Sequence, residues 1–116
     1  MIVVAEPQEV GPGGLLVNTS MAVPGQSIRI PIDATQGGVL HVFAEAGADG
    51  LDLTLTILDE GEAQRAYVDD SRGRDPQAAV PIAAGRYVIQ IGTYASYVRT
   101  GPVRVAVWVT RGALPR

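Results

Sequence analysis

Residues 51–109 read LDLTLTILDEGEAQRAYVDDSRGRDPQAAVPIAAGRYVIQIGTYASYVRTGPVRVAVWV, and this stretch decides the fold class. Leu51, Leu53, Leu55 and Ile57 alternate with Asp52, Thr54, Thr56 and Leu58. Successive side chains of an extended strand point to opposite faces, so this spacing marks a strand with one buried and one polar face. Tyr87, Ile89 and Ile91 alternate with Val88 and Gln90, and Val103, Val105, Val107 and Val109 alternate with Arg104, Ala106, Trp108 and Thr110. Turn signals separate these runs: Asp59-Glu60-Gly61-Glu62 after the first, Ala84-Gly85 before the second.

Working outward, Ala63–Val68 and Ala78–Ile82 read as short strands flanking the polar loop 69–77, and 92–102 reads as a loop carrying Tyr94 and Tyr97. Upstream, Val39–Ala46 is a strand with apolar residues on both faces. Ile28, Ile30 and Ile32 alternate with Arg29 and Pro31. Proline cannot donate to a ladder, which places that strand at an edge or puts a bulge in it. Leu15–Val23 forms a first, edge-like strand, whereas the Glu-, Pro- and Gly-rich residues 1–14 are poor strand and poor helix material. No segment carries a helical period. The chain is thus predicted to be all-β: a single-domain antiparallel β-sandwich, jelly-roll-like, with seven to nine short strands. Residues 1–25 are a lead-in with an edge strand, 26–110 the sandwich core and 111–116 a tail.

The 116 residues suit one domain, and 47% hydrophobic content is enough to build its core without staples. The absence of cysteine excludes disulfides and thiolate metal sites. All nine basic residues are Arg, and the net charge of −3 argues against binding a phosphate backbone, which needs clustered positive charge. No apolar run approaches the roughly 20 residues of a membrane-spanning helix. Met1–Ala5 is too short for a signal peptide, so either a leader was removed and the domain works outside the cytoplasm, or the protein is cytoplasmic.

The alternating Leu strand 51–55 with Asp59-Glu60-Gly61, the acidic Asp69-Asp70, the turn and strand Ala84-Gly85-Arg86-Tyr87-Val88-Ile89-Gln90-Ile91, and the closing strand 103–109 together resemble the bacterial pre-peptidase C-terminal domain family. The resemblance spans residues 26–110, and Ala-Gly-Arg-Tyr at 84–87 is its most specific element. The closing strand departs from the family pattern, reading Gly101-Pro102-Val103-Arg104-Val105 in place of Gly-x-Tyr-x-Leu. The resemblance implies a jelly-roll-like sandwich, an accessory module beside exported enzymes, no catalysis of its own, and in some members stabilisation by calcium.

The residues themselves favour no enzyme. His41 is the one histidine and lies mid-strand between Leu40 and Val42, which places it on the outer face of a sheet rather than in a triad. One histidine without cysteine cannot complete an ordinary zinc site. Asp52, Asp59, Asp69, Asp70 and Asp75 offer carboxylate pairs for glycoside hydrolysis, but they fall in turns and loops where acids are solvated. The loop 69–75 has a donor set suited to calcium: Asp69, Asp70 and Asp75 with Ser71 and Gly73. Arg72 and Arg74 interleave with those acids, and the competing reading is a solvated loop with internal ion pairs. Asn18-Thr19-Ser20 matches a glycosylation sequon and is assigned no role.

Aromatic side chains are the better lead. If the valines of 103–109 face the core, Trp108 faces out, and Phe43 stands in register with His41, opposite to Leu40 and Val42. Trp108, Phe43, Tyr94 and Tyr97 are therefore the candidate partner-binding residues, since large rigid rings carry much of an interface's energy. The competing expectation has residues 1–20 folding over that face. The function expected is a non-catalytic module binding a protein or carbohydrate surface. The alternative is a structural subunit forming homo-oligomers through a sheet face or through an edge strand such as 26–32.

Overall fold

The computed structural model describes residues 2–3, 8–10, 14–21, 27–46, 53–68, 76–93 and 101–111, all in strands or the connections between them. The strands are β1 (Ile2–Val3), β2 (Gln8–Val10), β3 (Leu15–Met21), β4 (Ile28–Ala34), β5 (Gly38–Ala46), β6 (Leu53–Asp59), β7 (Gln64–Val68), β8 (Gln77–Ile82), β9 (Gly85–Thr93) and β10 (Gly101–Arg111). One sheet runs β4-β9-β6-β7, with β1 and β2 both lying along the outer side of β4, and the other runs β3-β10-β5-β8. Because β1 and β2 share one lane, the two sheets are five and four strands wide.

The pairing is nested. Among the strands β3 to β10, the first pairs with the last, β4 with β9, β5 with β8, and β6 with β7. All four pairs are antiparallel. A hairpin folded back on itself in this way is a jelly roll, and it buries one face of each sheet against the other.

The alternation seen in the sequence is the alternation of burial. Ile28, Ile30, Ile32, Leu53, Leu55, Ile57, Ile89 and Ile91 fill the inner face of the wider sheet, each with no exposed surface. Leu40, Val42, Val103, Val105, Val107 and Val109 face them from the narrower one. Each such side chain contributes roughly 1.5–3 kcal/mol through removal of apolar surface from water. No polar or charged side chain is buried among the described residues. Any site those residues form therefore lies at the surface.

Four expectations are corrected. β4 is not an edge strand: β9 flanks it on one side, β1 and β2 on the other. Pro31 is accommodated because β1 pairs only as far as Arg29 and β2 starts at Ile32, so no described residue pairs with Pro31 on that side. Residues 1–14 are not devoid of strand: β1 and β2 run parallel to β4, and Val10 is fully buried in the core. Nor do the described residues of 1–20 lie over the outer face of Trp108; β1 and β2 extend the wider sheet and β3 extends the narrower one. The predicted loop 92–102 is also shorter, because Gly92 and Thr93 belong to β9, and Gly101 and Pro102 to β10.

Candidate functional site

The outward positions of β10 are Arg104, Ala106, Trp108 and Thr110, and those of β5 are Val39, His41, Phe43 and Glu45. Register aligns them in rows. Trp108 lies opposite His41 and His41 opposite Ala79; Ala106 lies opposite Phe43 and Phe43 opposite Gln77. The next rows are Thr110–Val39–Pro81 and Arg104–Glu45. Leu16 of β3 stands beside Ala106. Thus two of the four aromatic candidates, Trp108 and Phe43, come together on one face as diagonal neighbours. Tyr94 and Tyr97 lie outside the described residues.

The centre of this face is an aromatic stack. The rings of His41 and Trp108 are 5.1 Å apart and 7° from parallel. His41 Nε2 lies 3.0 Å from Thr110 Oγ1, a hydrogen bond that holds the imidazole plane. Cross-strand neighbours on one face sit ~4.5–5.5 Å apart, so the pairing itself brings the rings to stacking distance. On its other side, among the described residues, Trp108 stands beside Gly14: the β3 ladder ends at Leu15, and a Cβ on Gly14 (φ +79°) would stand 3.4 Å from the Trp108 Cβ. The indole is 38% exposed and Leu16 56%. Of the large apolar side chains exposed among the described residues, only Tyr67 lies elsewhere, on the outer face of the wider sheet.

A depression of about 260 Å³ opens on the β8 side of the stack, lined by His41, Val42, Gln77, Ala78, Ala79 and Trp108. At the rim of the face Arg104 and Glu45 form an exposed ion pair at 3.5 Å. Alternation along β10 was enough to turn Trp108 outward. His41 was placed on an outer face but not as the partner of Trp108, and Gln77 and Thr110 were missed. Membership in one row depends on register between strands distant in sequence. The one available signal was that His41 and Phe43 are two residues apart and so share a face.

A second, wider depression of about 460 Å³ lies at one end of the sandwich, between the β6–β7 and β8–β9 turns. Two acids line it, Asp59 and Glu60, and Asp59 is committed to structure. Asp59 Oδ1 accepts hydrogen bonds from the backbone N–H of Gly61 (3.0 Å) and of Ala63 (2.9 Å), while Oδ2 faces Arg65 at 3.7 Å. Asp59 therefore closes a turn and has no free oxygen placed for acid catalysis. The other acids considered for that chemistry, Asp52, Asp69, Asp70 and Asp75, lie outside the described residues, as does the whole calcium candidate Asp69, Asp70 and Asp75. Among the described residues no three His, Asp or Glu side chains cluster to hold a metal.

The Ala-Gly-Arg-Tyr element has a structural explanation. Gly85 takes φ +146°, which L side chains rarely adopt, and so lets the chain turn directly from β8 into β9. Two residues on, the Tyr87 ring is buried and its hydroxyl donates back to the Ala83 carbonyl at 2.8 Å, tying strand to turn.

No family model matches the sequence, and no curated protein matches it. Solved structures do. The pre-peptidase C-terminal domain of a collagenase from Bacillus anthracis superposes with a TM-score of 0.69 over 88% of this chain and 94% of that one, at 14% identity. The chain has the fold of a pre-peptidase C-terminal domain. Similar too are a periplasmic inhibitor of g-type lysozyme from Aeromonas hydrophila (TM-score 0.64, 16% identity, 94% and 98% covered) and a carbohydrate-binding module of Cellvibrio mixtus lichenase 5A in complex with cellotriose (0.52, 13%, 85% and 88%). At these identities the likeness is one of fold. The pre-peptidase-like sandwich is thus shared by an inhibitor, a carbohydrate-binding module and a domain attached to a peptidase.

Proposed function

We propose that this chain is a non-catalytic binding module that works outside the cytoplasm and docks a protein or carbohydrate surface on the outer face of β3-β10-β5-β8. The observation that carries the reading is the His41–Trp108 stack, held parallel at 5.1 Å on an open sheet face. An aromatic pair fixed by its own neighbours loses little freedom when a partner covers it, which favours binding. Among the described residues no polar residue is buried as a whole, although the Arg29 Nε is, and Asp59 is tied into its turn. Similarity in fold to a periplasmic inhibitor and to a carbohydrate-binding module supports both the binding role and the extracytoplasmic setting.

The test is to present wild type and Trp108→Ala to a glycan array and to immobilised g-type lysozyme. Binding that disappears in the variant, with an unchanged circular dichroism spectrum, supports the reading. Undiminished binding places the partner on another surface.

Self-association is the second reading, favoured by the joint exposure of Leu16 and Trp108 on the same face. Two copies packed back to back would cover both. Sedimentation would then show a dimer that Trp108→Ala converts to monomer. The strand 26–32 takes no part in this, since β4 is an interior strand; β3 and β8 are the edges of the narrower sheet.

A further inference from the structure

Among the described residues the docking face has a concave spot, and its lining says what kind of group it receives. Trp108, His41 and Ala79 stand in one row on β10, β5 and β8. Trp108 covers the β10 side of the imidazole. The opposite side of the imidazole looks toward β8, where the facing residue has only a methyl group. This is why a depression of about 260 Å³ opens there. That lies a little below the ~300–1,000 Å³ of pockets for drug-sized ligands, which suits a single ring. The wall is set in advance, because Thr110 holds the imidazole at 3.0 Å and the indole backs it.

The chemistry of the lining is two-sided. Among the described residues no Arg, Asp or Glu lines the slot. The charged pair on this face, Arg104 and Glu45, lies beyond the Phe43 row and is matched internally at 3.5 Å. An ionic ligand would lose hydration here without gaining a counter-charge from an Arg, Asp or Glu of the described lining. Gln77 supplies an amide with two donors and an acceptor at one end. The far side of β8 has no partner strand among the described residues, so its outward N–H and C=O groups also lie along the rim. A π face beside hydrogen-bonding groups of both signs, in an open slot, matches a ring with C–H groups on its face and hydroxyls at its edge.

Resting on the docking-face reading above, we infer that this slot takes the ring of a neutral sugar. The ring stacks on His41 with Trp108 behind it, and Gln77 and the β8 edge engage the hydroxyls. An aromatic side chain of a protein partner is the other group such a slot would admit; its ring carries no set of hydroxyls for the Gln77 amide, and the peptide arm of the test decides between the two.

The test uses the whole chain and a panel of neutral oligosaccharides (cellotetraose, xylotetraose, mannotetraose and chitotetraose) at millimolar concentration, beside a Phe-containing tripeptide. Trp108 is the one tryptophan, so its fluorescence reports on the stack directly, and His41 is the one imidazole to follow by NMR. At least one sugar should shift both signals, and Ala79→Leu, which fills the slot from an exposed edge position, should abolish the response while the circular dichroism spectrum stays unchanged. Absence of any response across the sugars, a response that survives Ala79→Leu, or a response to the tripeptide alone overturns the inference. Ala79→Leu leaves Trp108 and Phe43 exposed. Array or lysozyme binding that persists in Ala79→Leu but is lost in Trp108→Ala therefore removes the sugar slot and keeps the docking face, whereas indifference to Trp108→Ala removes both.

Discussion

Tyr87→Phe is the sharpest test of how the turn into β9 is held. The ring of Tyr87 is 7% exposed, and its hydroxyl donates to the Ala83 carbonyl at 2.8 Å. Removing only the hydroxyl leaves the packing in place and deletes one hydrogen bond, for a net loss of about 0.5–1.5 kcal/mol. Ala83 is itself exposed, so water can replace the lost donor, and the expected cost sits near the middle, about 1 kcal/mol. For a domain of 116 residues that lowers the melting midpoint by about 3–6 °C. Tyr87→Ala removes the ring as well and should cost about 3–5 kcal/mol, as aromatic truncations in cores do. Urea titration separates the two, provided the slope m is unchanged between variants. Tyr67→Phe is the control, since Tyr67 is 52% exposed on the outer face of the wider sheet. If Tyr87→Phe proves as stable as Tyr67→Phe, the bond to Ala83 does no holding. If it is as damaging as Tyr87→Ala, the hydroxyl rather than the ring anchors the turn. Either result refutes the division made here.

Gly85→Ala should cost about 1–3 kcal/mol in the same titration through backbone strain alone, because an added Cβ meets nothing within 4 Å. Asp59→Ala strips the acceptor from the Gly61 and Ala63 N–H groups and should destabilise by about 1 kcal/mol, with Asp59→Asn recovering most of the loss. Ile89→Ala should cost about 2–5 kcal/mol, while Val88→Ala, its outward neighbour, costs much less; equal losses would contradict the assignment of faces along β9. Thr110→Val should leave the melting midpoint within about 2–3 °C of wild type yet broaden the His41 ring signals, because only the hydrogen bond that fixes the imidazole is gone.

Alternation was the legible part of the sequence. Burial along β4, β6, β9 and β10 follows it residue by residue, and it turned Trp108 outward and Val107 and Val109 inward. The turn at Asp59–Glu62 was legible as well, because its Asp and Gly do local work that the sequence displays. What was hidden depends on partners. β1 and β2 are too short to carry a period, and they exist because β4 offers an open side for them to pair with. Pro31 argued for an edge, but a proline asks only that its own missing N–H face no ladder, and the interval between two short partners satisfies that as well. The stack of His41 on Trp108, and the tie from His41 to Thr110 across 69 positions of sequence, depend on the β5–β10 register. No single strand contains that information.

The same dependence bears on how such a site works. The wall of the slot comes from β5 and β10 and its far side from β8, so only the closed jelly roll assembles it. Beneath the stacked rings, Leu40, Val42, Val107 and Val109 are buried against the wider sheet. The rings themselves stand on the outer face, so the core fixes the strands that carry them, and the stack and the Thr110 hydrogen bond fix the ring planes. A loop-borne site adapts to its ligand and spends binding free energy on ordering. A site on the strands of a packed sheet is already ordered, so in the reading proposed above its specificity lies in the row of residues it presents, Trp108 and His41 on the middle strands and Ala79 on the edge strand β8. Relatives of this fold that bind other partners would then differ at those outward row positions while keeping the inward residues beneath them, since the two sets alternate along each strand and can change independently.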